Sequence, residues 1–216
     1  MRLVKQVVFA SNNSDKFEEM KAIFSAFPNV TLVKVADLVR NSDKIGQVEN
    51  HQTYLENSMA KARLINHATH FPSLADDTGL EVDSLNGKPG VHSFRFAKVG
   101  PYAVSREEQN RANIELLLSE MKKSPGAPRT ARFVCVVSLC MEGILIHAQG
   151  VLEGTISSEP RGSMGFGYDG VFIPEGHSKT LAEMTATEKN SMSHRAKAIQ
   201  GLMAQLGPKG IILSKP

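Results

Sequence analysis

Apolar positions along the first part of the chain switch between two periods. Gln6 to Ala10 is a short apolar run, the pattern of a buried strand. After Ser11-Asn12-Asn13, the residues Phe17, Met20, Phe24 and Phe27 recur at spacings of 3, 4 and 3, which is one face of a helix. Pro28-Asn29 stops it. Thr31 to Val35 reads as a second strand. Thr53 with Glu56 is a capping box, opening a helix whose core face holds Leu55, Met59, Ala62 and Ile65. Ser73 to Ala75 is a short strand that runs into Asp76 and Asp77. Ser105 with Glu108 is a second capping box, before the face Ile114, Leu117, Leu118 and Met121.

The pattern then turns to β. Thr130 to Cys140 and Ile144 to Leu152 are β-branched and apolar, and Glu142-Gly143 between them predicts a hairpin. Gly162 to Gly170 is a glycine-rich loop, followed by the strand-like Val171-Phe172-Ile173, which Pro174 ends. Thr180 with Glu183 and Thr185 with Glu188 are two further capping boxes. The last helix carries Ile199, Leu202, Met203 and Leu206 on one face, with Lys189, His194 and Arg195 at its start, and ends near Gly207-Pro208. Strands and helices mix throughout. The expectation is an α/β fold: a long central mixed sheet with flanking helices, one domain over residues 1–216 built as two lobes. Ligands in such folds sit at strand ends or between lobes.

Composition narrows the function classes. Of 216 residues, 41% are hydrophobic and 22% charged, which excludes a disordered, collagen-like or coiled-coil chain. No apolar run is long enough to span a membrane. Lys5 interrupts the N-terminal apolar stretch, so a strand is expected there rather than a signal peptide. Cys135 and Cys140 fall on opposite faces of one strand, which argues against a disulfide and fits a reducing cytoplasm. The net charge of +3 is too small for a nucleic-acid coat but suits a site that gathers a small anion.

Four segments carry candidate chemistry. Ser11 to Lys16 joins a strand to a helix, where backbone N–H groups and Lys16 would favour phosphate; the plain alternative is a capped polar turn. Asp76-Asp77-Thr78-Gly79 places two carboxylates together, suited to Mg²⁺ or to taking a proton from water, or else to a simple Asx-turn. Gly165, Gly167 and Gly170 match G-x-G-x-x-G, but a strand follows instead of a helix, so a dinucleotide site is rejected. A loop whose bare backbone nears a ligand, with Phe166 or Tyr168 for stacking, remains open beside a mere turn. Lys189 near a helix start hints at an anionic partner, or lies on a solvated face. No Walker A, H-E-x-x-H or G-x-S-x-G pattern occurs.

Taken in order, these segments resemble the inosine triphosphate pyrophosphatase family, the dITP/XTP pyrophosphatases. The resemblance runs from VVFASNNSDKFEE at 7–19 through TYLENSMAKA at 53–62, LADDTGLEVDSLNGKPGVHS at 74–93 and GFGYDGVF at 165–172 to EKNSMSHRAKA at 188–198. It implies a two-lobed α/β fold with a nucleotide cleft between the lobes, a cytoplasmic homodimer, and Mg²⁺-dependent hydrolysis of ITP, dITP or XTP to the monophosphate and pyrophosphate. The weak net charge and the absence of Trp argue against a nucleic-acid partner, and the short apolar runs against a membrane partner. By motif, Ser11, Asn12, Asn13, Ser14, Asp15 and Lys16 would bind the triphosphate. Asp77 would be the proton acceptor and a Mg²⁺ ligand, Glu49 a second ligand, and Thr78 a substrate contact. Lys61 and Lys189 would meet phosphates, while Phe166, Gly167, Tyr168, Asp169, His194 and Arg195 would frame the base. The chain departs from the family pattern at Ser11-Asn12-Asn13, where Thr-Gly-Asn is common, and at Glu49-Asn50-His51, where an acidic residue followed by Thr-Gly is usual.

Overall fold

Hydrophobic residues crowd both faces of the N-terminal strand, which demands helices on both sides of it. The computed structural model describes residues 2–4, 6–27, 30–39, 42–99, 105–209 and 211–213. In it, β1 (Arg2–Val4) pairs in parallel with β8 (Ile211–Leu213) as a small separate sheet. The main sheet has six strands in the order β3-β2-β4-β5-β6-β7. These are β2 (Gln6–Phe9), β3 (Thr31–Lys34), β4 (Ser73–Val82), β5 (Thr130–Met141), β6 (Ile144–Ile156) and β7 (Phe172–Pro174). β2 runs parallel to β3 and to β4, and β6 is antiparallel to β7, so the sheet is mixed as expected. The helices are α1 (Ser14–Phe24), α2 (Tyr54–Thr69), α3 (Arg106–Lys122), α4 (Ala186–Met192) and α5 (His194–Leu206).

The chain divides into two compact units. The first holds residues 1–77, 135–150 and 193–216; the second holds 78–134 and 151–192. In the first, Val7, Phe9, Leu74, Cys135 and Val137 face α1 and α5 in one core cluster. The alternate residues Val8, Ala10, Ala75 and Cys140 pack with Ala62 and Ile65 of α2 in another. Side-chain alternation along the strands sorts the two clusters, and it puts both free cysteines on opposite faces as expected. Gly150 of β6 lets α5 approach closely: a Cβ there would lie 2.1 Å from the His194 carbonyl oxygen. The second unit has its own core around Leu80, Leu117, Phe133, Leu152, Tyr168 and Phe172. Among the described residues no helix is long and apolar enough to cross a membrane.

Several expectations are revised. Asp76 and Asp77 do not end a strand; they lie in the middle of the ten-residue β4. Aspartate is a poor strand former, and cations supplied from elsewhere in the chain offset it here. The buried face of α2 is Asn57, Ser58, Lys61, Ala62 and Ile65, with Leu55 and Met59 only half-buried, because polar partners await it on the sheet. Ser58, for example, meets the Ser138 hydroxyl at 2.8 Å. The last helical stretch is two helices, not one: Ser193 is the N-cap of α5, and Lys189 belongs to α4. The stop assigned to Pro28-Asn29 lies outside the described residues.

Candidate active site

In the first unit, neighbouring aspartates on β4 point to opposite faces and meet opposite environments. Asp76 is 1% exposed. Its Oδ2 lies 2.9 Å from Lys16 Nζ of α1 and 3.4 Å from the Arg195 guanidinium of α5. Arg195 is held from its other side by Glu19, 2.7 Å away. Burial alone would raise the Asp76 carboxyl, but Lys16, Arg195 and Lys61 overcome it and hold the group well below the ordinary carboxylate range. Asp77 lies on the α2 side. Its Oδ2 accepts a 2.9 Å hydrogen bond from Asn57 Nδ2, and its Oδ1 lies 3.7 Å from Lys61 Nζ. Burial pushes this carboxyl up, and Lys61, Lys16 and Asn57 only partly offset that.

Lys61 is 2% exposed and multiply engaged. It donates to Glu49 Oε1 at 2.5 Å and to the Asp76 carbonyl oxygen at 2.6 Å. Burial acts to lower its pKa, but Asp77, Glu49 and Asp76 together leave it raised, so it is a fixed cation. Glu49 is itself lowered: burial opposes, and Lys61 and Lys16 prevail. Asn57 also accepts a bond from the His51 N–H at 3.0 Å, so one buried amide ties the segment after Glu49 to Asp77. At the start of α1, Asn13 is the N-cap, accepting from the Asp15 and Lys16 N–H groups. Two donors expected to be open for phosphate are therefore already satisfied by this side chain. Ser11 is half-buried, while Asn12, Ser14 and Asp15 are exposed.

A second group forms in the other unit. Gly165 and Gly167 take positive φ, which opens the loop before β7. Asp169 folds back into this loop, accepting from the Phe166 N–H at 2.9 Å and pairing with Lys189 Nζ at 2.6 Å. Lys189 Nζ also sits 4.8 Å from the Phe166 ring centroid. A Cβ on Gly165 would lie 2.2 Å from Asp169 Oδ2, so the glycine is required by this fold-back. Tyr168 is buried in the core, not presented for stacking, and its hydroxyl donates to the Ser93 carbonyl oxygen at 2.8 Å. Thr78 is half-buried on β4 beside Asp77.

Thus Lys16, Glu49, Lys61, Asp77, His194 and Arg195 belong to the first unit, and Thr78, Phe166, Gly167, Tyr168, Asp169 and Lys189 to the second. His194 and Arg195 are both buried, and the guanidinium is committed to two carboxylates. Sequence reasoning missed Glu19, Asn57 and the anchoring role of Asp76. A signal existed for the first two: Lys16 and Glu19 are three apart, Asn57 and Lys61 four apart, so each pair shares a helix face.

The first unit's charged groups also test for a metal. Lys16, Lys61 and Arg195 face Glu19, Glu49, Asp76 and Asp77, leaving an excess of one negative charge when all are ionised. An added cation would offset that excess toward a polyanion. No group of three or more His, Cys, Asp or Glu able to hold a metal occurs among the described residues. Glu49 and Asp77, sharing one ammonium, are a two-carboxylate oxygen donor set. That fits Mg²⁺, which takes one or two carboxylates and leaves its other positions to water and phosphate.

The model of the Ham1 family matches residues 7–205. A dITP/XTP pyrophosphatase of Christiangramia forsetii is 40% identical over 201 residues, covering 93% of this chain and 98% of that protein. One from Bacillus subtilis is 38% identical over 203 residues, covering 94% and 97%. Among solved structures, the Ham1 protein of Staphylococcus aureus superimposes with a TM-score of 0.77 at 33% identity, over 95% of this chain and 100% of that one.

Proposed function

The chain belongs to the Ham1 family, and we propose that it hydrolyses dITP, ITP and XTP to the monophosphate and pyrophosphate at the Asp76-Asp77 cluster. It is a nucleoside triphosphate pyrophosphatase of nucleotide metabolism. The observation that carries the site assignment is the split between two adjacent aspartates, one held strongly ionised by cations and the other pushed toward protonation by burial. Paired carboxylates whose environments pull their pKa values apart divide an anchoring role from a proton-accepting one.

Asp77 is assigned as general base. It accepts a proton from the water whose oxygen bonds to the α-phosphorus, as the bond from that phosphorus to the bridging oxygen breaks and pyrophosphate leaves. Asn57 holds one oxygen of Asp77 in place. Lys16 and Lys61 exchange part of their carboxylate contacts for phosphate oxygens and stabilise the charge that develops on the leaving group. Asp76, with Arg195 and Glu19 behind it, keeps Lys16 aimed. Glu49 and Asp77 would hold Mg²⁺, which when bound supplies charge neutralisation to the triphosphate. The Phe166–Asp169 loop with Lys189 is assigned to the purine: Phe166 offers a ring face, and the Asp169–Lys189 pair offers both polar signs to a 6-oxo base. A homodimer accompanies the family resemblance, and light scattering on the purified protein reads it.

Asp77→Asn tests the base. It keeps the side-chain shape and an acceptor for Asn57. The expected result is a fall in kcat of about 10²- to 10⁴-fold, with nucleotide binding by calorimetry retained. An Asp77→Asn enzyme that turns over at the wild-type rate removes Asp77 from the role.

A further inference from the structure

The segment after the second unit's portion of β4 has little regular backbone pairing, yet it is fixed. Its fastener is Asn113, a buried amide in the middle of α3. Asn113 Nδ2 donates to the Ser93 carbonyl at 3.2 Å and to the Phe94 carbonyl at 2.9 Å. Its Oδ1 accepts from the Ala97 N–H at 2.8 Å and from Gln109 Nε2 at 3.0 Å. A primary amide has two donors and two lone pairs, so its capacity is fully used. Gln109 adds a bond to the Ala97 carbonyl at 2.9 Å. Ser93 is locked further through its hydroxyl, which accepts from the Leu80 N–H and donates to the Gly90 carbonyl.

The Ser93 carbonyl has a second customer. Tyr168, between Gly167 and Asp169, donates its hydroxyl to the same oxygen at 2.8 Å. The glycine-rich loop has positive φ at Gly165 and Gly167, so local sterics constrain it weakly. Among the described residues its side-chain anchors include the Asp169–Lys189 pair and Tyr168 on Ser93, beside backbone bonds to Ala182. Asp169 follows Tyr168 directly and Phe166 stands two residues before it, so a shift of the Ser93 carbonyl would act next to the groups assigned to the purine.

We propose that Asn113 is a positioning residue for base selection, acting through the Ser93 carbonyl and the Tyr168 hydroxyl on the Phe166–Asp169 loop. This rests on the assignment of that loop to the purine, given above. Asn113 touches no substrate; it sets where the loop stands, and small displacements of selecting groups erode discrimination.

The test is kcat/KM for dITP and for dATP in wild type, Tyr168→Phe, Asn113→Ser, the double variant and Phe166→Ala, with thermal melts alongside. Each of Tyr168→Phe and Asn113→Ser is expected to lower the dITP-to-dATP ratio by roughly 2- to 10-fold, the worth of one hydrogen bond. The change falls mainly on KM for dITP. The double variant is expected to lose no more than the worse single one, because both act through one carbonyl. A lower melting temperature with an unchanged ratio in both single variants means a purely structural role and overturns the proposal. Losses that multiply in the double variant overturn the shared path. Should Asn113→Ser not fold, Gln109→Ala removes a partner of Asn113 at a half-buried position. It is expected to lower the ratio in the same direction, and an unchanged ratio counts against the proposal. Phe166→Ala separates the two levels. If it leaves the ratio unchanged, the purine assignment falls and the proposal with it. If it lowers the ratio while Tyr168→Phe and Asn113→Ser do not, only the proposal falls.

Discussion

Replacing Asp76 by Asn removes one negative charge from a buried set and keeps its shape. Lys16 and Arg195 then lose a shared counter-charge that lay 2.9 and 3.4 Å away. Removing one partner of a buried pair costs about 3–5 kcal/mol. Two features reduce that here. The Lys16 side chain is 17% exposed and can turn toward water, and Arg195 keeps Glu19 at 2.7 Å. The expected loss at pH 7 is therefore roughly 2–3 kcal/mol. At about 2–4 °C per kcal/mol for a chain of this size, Tm falls by roughly 4–12 °C. The pH dependence has a definite sign. The folded-state pKa of Asp76 is depressed, so its stabilisation is present above the unfolded value of about 3.9 and is lost as pH falls below it. The gap between wild type and Asp76→Asn closes by about 1.4 kcal/mol per pH unit in that range. Thermal melts of both proteins in EDTA without nucleotide, from pH 7 to pH 3, read this directly. Asp77→Asn is the internal contrast: burial raises that carboxyl, so its neutral replacement is neutral or stabilising at pH 7. A gap at Asp76 that is absent at pH 7, or unchanged at pH 3, refutes the anchoring assignment.

Two more outcomes follow from the packing. Gly150→Ala drives a Cβ to 2.1 Å from the His194 carbonyl and 2.4 Å from the Ala198 nitrogen, both backbone atoms. It is expected to cost about 1–3 kcal/mol in urea unfolding and to lower activity, because α5 carries Arg195; a variant as stable as wild type contradicts the close approach. Asn57→Ser takes away the bond to Asp77 and the one from His51. Steady-state kinetics should show kcat for dITP reduced about 10-fold or more with a smaller change in KM, and the reverse split would make Asn57 a substrate-binding group.

Much of the fold was legible because its signals are local. The capping box at Ser105 forms as read, with both reciprocal bonds, and at Thr180 the Glu183 carboxylate accepts from the Thr180 N–H as read. The turn at Glu142-Gly143 joins β5 to β6, with positive φ at both residues. What local reading missed depends on distant partners. Nothing near Asp76 announces that Lys16 and Arg195 neutralise it, so two aspartates read as the end of a strand when they lie in its middle. The burial of Asn57 and Lys61 was hidden for the same reason, since their partners Asp77 and Glu49 lie outside α2. The break between α4 and α5 was readable, because Ser193 caps α5 through the Ala196 N–H. Motif order singled out Lys16, Glu49, Lys61 and Asp77, and the fold brings their charges together around β4. The contrast between the environments of Asp76 and Asp77 became visible only with burial and charge.

The central claim is tested most directly by pyrophosphate release at millimolar Mg²⁺, with dITP, XTP, dATP, dGTP and dTTP assayed side by side. Rapid turnover of dITP and XTP, with the other three slower by at least about 10²-fold, is the expected result. Equal turnover of all five, preferential turnover of dTTP, or none at all would contradict it.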